Sequence, residues 1–177
     1  MFWFLLTTYL LSTTEEWFLH KYVMHNKNCG GMYENHITHH KNTLQDLTIT
    51  NKHDAYICVD LSSVNDFFQL IVLLLMNTGM LGLFFYPSIS IVTISGTVAG
   101  FLTINILTWN TYHAYIHNLD PSEICGFPKG LPIESVDRNS LYTNWVIRNH
   151  RIHHQSGGNC NYNIVFPGAD YLFGTNK

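Results

Sequence analysis

An all-α protein that crosses a membrane more than once, with a helical cap on one face, is predicted by three features of this 177-residue chain. Residues 67–86 and 88–109 form two uncharged runs separated only by Pro87. Charged residues make up 12% of the chain, against about 25% in ordinary soluble domains, while 46% is hydrophobic and 14% aromatic. Ten of the eleven histidines fall in four short clusters at helical spacings. Together these describe one domain, 1–177, built from a transmembrane hairpin and a histidine-rich cap.

Taken in order, the first helix is expected over about 2–24. Met1 to Thr14 is apolar and uncharged but too short to span alone, since about 20 residues are needed. Glu15 and Glu16 read as charges where the helix reaches water. A signal peptide fits poorly, because a basic start and a small-residue cleavage site are missing. Asn26 to Gly31 is a turn by composition, and a short helix carries His36, His39 and His40. The runs 67–86 and 88–109 each correspond to about 30 Å of helix, the thickness of a hydrocarbon core. Asn77 and Asn105 inside them read as interhelical hydrogen-bond partners, or as groups lining a substrate passage. The third helix is expected to run on through Thr111–Asn118. Asp120 to Asp137 is a loop, Leu141–Gln155 a helix closed by Gly157 and Gly158, and the tail is too irregular to assign.

The hairpin returns the chain to the side it left, so all four histidine clusters share one membrane face. The nine Lys and Arg residues all lie outside the hairpin. The positive-inside rule then makes the histidine face cytosolic. Cys29, Cys58, Cys125 and Cys160 form no Cys-x-x-Cys pair and read as four free thiols, suited to a reducing compartment. A net charge of −3 without a basic patch argues against nucleic acid as a partner.

The spacings have chemical meaning. On a helix, positions i, i+3 and i+4 share a face, which aligns His36 with His39 and His40, and His150 with His153 and His154. His113 and His117, at i and i+4, also align. His20 and His25 are five apart and need a helix end or a π-bulge, a feature common at functional sites. Imidazole is the commonest side-chain metal ligand and suits Fe, Zn, Cu and Ni. Ten imidazoles exceed what one ion can coordinate, so two ions with about five ligands each is the natural arithmetic. His53-Asp54 resembles the pair of metal phosphohydrolases, but a lone pair is weak. His-Glu-x-x-His is absent, which leaves a zincin protease unsupported.

The ordered series His-x4-His, His-x2-His-His, His-x3-His and His-x2-His-His resembles the fatty acid hydroxylase/sterol desaturase superfamily of membrane di-iron enzymes. Glu16-x-x-x-His20 before the first pair adds to it. So does the tail, Asn161-Tyr162-Asn163 followed by Asp170-x-Leu172-Phe173-Gly174-Thr175. The likeness covers about Glu16 to Thr175, and its first and third boxes lean towards fatty acyl 2-hydroxylases. It implies that His20, His25, His36, His39, His40, His113, His117, His150, His153 and His154 ligate two irons, with zinc as a substitute in isolated protein. It also implies O2-dependent hydroxylation of a fatty acyl or sterol carbon, with desaturation as the alternative, in an endoplasmic reticulum-type membrane if the cell is eukaryotic. No flavin, nicotinamide or His-Pro-Gly-Gly haem signature is present, so a separate cytochrome b5- or ferredoxin-type donor with its reductase is expected. Asn161, Asn163 and Asp170 are candidates for orienting ligand imidazoles, or for shaping turns. The reading from another class is a metal-binding or transport protein. Transporters place ligating groups near the bilayer midplane, whereas these histidines lie outside the hairpin.

Overall fold

Three helices converge in the lower half of the molecule, as a computed structural model shows for residues 1–52 and 55–177. Helix α1 (Phe2–Phe18) runs directly into a π-helical turn, Leu19–Met24. Helix α2 is Gly31–Asn42, α3 Val64–Phe85 and α4 Ile91–Ile116. A short α5 (Pro121–Ile124), α6 (Leu141–Gln155) and α7 (Ala169–Leu172) complete the cap. No strand occurs among the described residues; an isolated bridge pairs Thr43 with Ile49. His53 and Asp54, and with them the phosphohydrolase-like pair, lie outside the described residues.

The helix ends follow local chemistry. Ser90 and Ser140 accept from the amides of Thr93 and Thr143 at the starts of α4 and α6, satisfying donors that a helix leaves open. Pro121 begins α5 behind the Asp120 cap, where a missing N–H loses nothing. Helix α6 stops because Gly157 and Gly158 turn left-handed, at φ +64° and +76°, and the Gly158 amide closes onto the His153 carbonyl at 2.9 Å.

Helices α3 and α4 are long and apolar enough to cross a membrane. They pack with α1 around Phe4, Leu81, Ile94 and Val98. Their outward faces expose Phe67, Phe68, Leu75, Leu83, Phe84 and Val92. An apolar surface this extensive is rare on a soluble monomer. Six hydroxyls on α1 and α4 are satisfied within their own helix. Thr7, Thr8, Ser12, Ser95, Thr97 and Thr103 each donate to the carbonyl four residues back.

Above this layer, the segment between α2 and α3 folds over the end of α4. Asn110 fixes it by accepting from the Val59 amide and donating to the Val59 and Pro128 carbonyls. Two cap cores form here, one around Leu47, Trp109, Val146 and Ile164, the other around Ile49, Ile57, Ala114 and Leu119.

Three expectations are corrected. Glu16 is not a helix-end charge in water. It is buried, and its carboxylate accepts from the amides of Ile164, Val165 and Phe166 at 2.6–2.9 Å and from the Asn163 side chain. Asn77 pairs with Glu15, at 2.8 Å, and not with Asn105. Cys58 and Cys125 are joined in a disulfide, which leaves Cys29 and Cys160 as the free thiols. A distant cysteine pairing has no local signature in a sequence, so spacing alone missed it.

Candidate metal centre

Each histidine pair or triplet is delivered by its own helix end. The π-helical turn reconciles the five-residue spacing of His20 and His25: their rings stack 5.3 Å apart. Helix α2 presents His36, His39 and His40, α4 ends on His113 and His117, and α6 presents His150, His153 and His154. The four elements bring the ten imidazoles into two adjoining groups. His20, His25, His36, His40 and His153 form one; His39, His113, His117 and His150 form the other. His154 completes the second, its Nε2 lying 3.0 Å from His150 Nε2 and 3.1 Å from His39 Nε2.

Backbone carbonyls set the protonation of five rings. The Nδ1 atoms of His20, His39, His113, His117 and His153 face the carbonyls of Tyr162, Ala55, Ile57, Leu47 and Cys160 at 2.6–3.1 Å. A carbonyl only accepts, so Nδ1 must carry the hydrogen and Nε2 presents a bare lone pair. These lone pairs point into the groups. Nε2 atoms within the first group stand 3.0–3.3 Å apart. Two nitrogens bound at right angles to one ion, each about 2.1 Å from it, would be roughly 3.0 Å apart.

His113 sharpens the point. Its Nδ1 is committed to Ile57, and its buried Nε2 has no hydrogen-bond partner. That nitrogen lies within 4.8 Å of the donor atoms of His39, His117 and His150. A buried lone pair without a donor is expensive; a cation at the centre of the group satisfies it. The donor set therefore fits a pair of transition-metal ions.

Burial also keeps the rings neutral. It holds His36, His39, His150 and His153 well below the ordinary imidazole range, with neighbouring imidazoles adding repulsion. Burial lowers His25 to about 4 and His40 to about 3; it also lowers His117 to about 4, against the opposing Leu47 carbonyl. Neutral imidazole is the form that ligates.

The tail supplies two of the five carbonyls. Asn161, at φ +54°, is a residue type that tolerates the left-handed region. It sits between Cys160 and Tyr162, whose carbonyls meet His153 and His20. Asp170 accepts from the amides of Tyr162 and Asn163, and Asn163 accepts from the Asp170 amide. Among the described residues, Asn161, Asn163 and Asp170 thus make no hydrogen bond to an imidazole themselves; they shape the backbone that does.

The fatty acid hydroxylase family model matches residues 5–175. The chain belongs to the fatty acid hydroxylase family. No curated protein and no solved structure matches it. Sequence reasoning missed what surrounds the family's histidines: the loop carbonyls of Leu47, Ala55 and Ile57, which any residue type could provide. Gly158 was also missed as a packing residue. A Cβ there would stand 2.2 Å from Cε1 of His25.

An apolar cavity of about 260 Å³ opens beside the centre. Leu19, Leu70, Leu73, Phe101, Ile106 and Trp109 contribute to its wall, and His20, His36 and His113 line it as well. It therefore touches both histidine groups.

Proposed function

We propose that this member of the fatty acid hydroxylase family is a membrane-embedded, O2-dependent lipid hydroxylase with a di-iron centre. The observation that carries the reading is the apolar cavity lined by imidazoles from both groups. His20, His25, His36, His40 and His153 would hold one iron; His39, His113, His117, His150 and His154 the other. Bound there, the irons supply the oxidising power that an unactivated C–H bond requires, chemistry that side chains alone lack.

The chain's own residues do the rest. Helices α1, α3 and α4 embed their apolar faces in the bilayer and leave the cavity open to a lipid tail. The cavity wall excludes water from the reacting carbon. The five carbonyls hold their rings in one tautomer and one orientation, which raises ligand basicity. Part-buried His25, His40 and His154 mark the edge nearest solvent, where a separate electron donor of the cytochrome b5 or ferredoxin type would approach. The nine cations outside the hairpin favour a cytosolic orientation for that edge.

The test compares lipids of cells expressing the chain with those of cells expressing His153→Ala. A lipid heavier by one oxygen, present only with the intact chain and a competent donor, is expected. A product lighter by two hydrogens would make the enzyme a desaturase. Equal oxidation by both forms would refute the metal-centred reading.

A further inference from the structure

The cavity is not uniformly apolar, and each of the helices α1, α3 and α4 contributes to it a polar group with hydrogen-bonding capacity left open. Glu15 of α1, Gln69 of α3 and Asn105 of α4 all line it. Among the described residues, neither Gln69 nor Asn105 makes a side-chain hydrogen bond to the protein. Glu15 Oε2 accepts from Asn77, while its Oε1 has no partner. Ser12 and Asp66 on this wall are paired with the protein, Ser12 donating to Thr8 and Asp66 accepting from the Asp60 amide, and Asn35, which also lines the cavity, is exposed.

Glu15 Oε1 is a buried acceptor without a partner, which costs about 1–3 kcal/mol; the amides of Gln69 and Asn105 are part-buried and face the same chamber unpaired by the protein. Two such amides and a half-paired carboxyl in one chamber mark a place where a ligand supplies the missing hydrogen bonds. Their depth is set by helix geometry. Asn105 precedes His113 by eight residues, about 12 Å at 1.5 Å per residue. Glu15 precedes His20 by five, roughly 7.5 Å. The collar thus lies about one and a half to two helical turns from the histidines, with Leu70, Leu73, Phe101 and Ile106 in the same wall.

We propose that Glu15, Gln69 and Asn105 form a polar collar that binds a hydroxyl group of the lipid substrate and so fixes which carbon reaches the metal centre. This rests on the lipid-hydroxylase reading and adds to it a substrate class: a neutral lipid alcohol. A hydroxyl donates to Glu15 and accepts from an amide, matching both kinds of group in the collar. An ester offers only acceptors, and a carboxylate would face Glu15 with like charge. Gln69 and Asn105 are positioning residues, since the reacting carbon lies farther in.

The test uses two pairs of probes, cholesterol with cholest-5-ene and 1-octadecanol with octadecane, retained by the purified, metal-loaded full chain. For each pair the alcohol-to-hydrocarbon retention ratio is compared between the wild type and the Asn105→Leu and Gln69→Leu variants; partition into detergent cancels in that comparison. At least one pair should show a ratio about tenfold higher in the wild type than in a variant, as expected for a lost buried hydrogen bond. Metal content equal to that of the wild type shows that the variant is folded. A ratio unchanged by both substitutions in both pairs overturns the collar and returns the polar groups to water. Oxidation of the retained alcohol is scored separately, with O2 and a cytochrome b5-type donor, its reductase and reduced nicotinamide supplied, since oxygen insertion consumes two electrons that the chain itself does not hold. Retention without oxidation rejects the oxygenase and leaves the collar standing; oxidation without an alcohol preference does the reverse.

Discussion

Replacing Gly158 by alanine places one methyl group against one imidazole, and its effect can be worked out from the structure. The new Cβ would lie 2.2 Å from Cε1 of His25 and 2.8 Å from its Nδ1. Ordinary contact begins at 3.4 Å, so the ring must retreat by about 1.2 Å, against a tolerance of roughly 0.2 Å for a metal–ligand bond. His25 Nε2 now stands 3.0 Å from His36 Nε2 and 3.3 Å from His153 Nε2; it would leave the first group. Alanine at φ +76° adds backbone strain of about 1–2 kcal/mol. Gly157→Ala separates the two effects. Gly157 has φ +64°, and the nearest atom to its Cβ would be 3.8 Å away. Both variants should lose similar thermal stability from strain. Only Gly158→Ala should also bind the first ion about tenfold to a hundredfold more weakly, shifting metal content from two ions per chain towards one. Two fully retained ions in Gly158→Ala would refute the assignment of His25.

Further outcomes follow from the same contacts. Glu16→Ala strands three amides of the tail, each worth about 1–3 kcal/mol when buried without a partner; thermal denaturation should shift down sharply, and limited proteolysis should cut after Asn159. His113→Ala should lower the occupancy of the second ion while leaving the first, whereas His153→Ala should do the reverse; element analysis of both variants checks this. Acid should destabilise the metal-free protein. The folded-state values of His25, His40 and His117 are lowered, so the unfolded chain binds more protons below the ordinary value of about 6.5. Their stability is present above pH 6.5 and is lost as pH falls towards about 4. A melting temperature that is flat or rises on acidification through that window would contradict the burial argument.

Much of this was legible in the sequence because periodicity carries it. The hairpin came from uncharged runs and α6 from its glycine stop, while the five-residue histidine spacing called for a helix end or a π-bulge, and the structure has the π-helical turn. The pairing of the clusters into two groups was less accessible. His39 leaves its neighbours His36 and His40 and joins His113 across the centre, because α2 presents its successive faces to different partners. Nor could spacing find Leu47, Ala55 and Ile57, whose contribution is a carbonyl. Glu16 misled for a physical reason: a carboxylate after an apolar run usually reaches water, whereas here three tail amides take water's place.

The Cys58–Cys125 disulfide and the distribution of cations make opposing demands on the orientation of the site. Disulfides persist in oxidising compartments and are rare in the cytosol. Both cysteines flank the cap, on the histidine side of α3 and α4, so a bond that persists in the cell would put the histidines outside. The nine Lys and Arg residues lie on that side too, in short segments where positive charge governs insertion. Charge acts while the chain inserts, whereas the two sulfurs meet only after folding, so the cations should prevail and the bond should form once the protein meets air. Closing a loop of 67 residues would stabilise the oxidised form by about 4 kcal/mol. Thiols trapped by alkylation in intact cells and counted after denaturation should number four, against two in air-exposed protein, with a higher melting temperature for the latter. Two thiols in the trapped sample would reverse the orientation: the electron donor would then have to work from the oxidising side, and a cytosolic cytochrome b5-type partner would be ruled out.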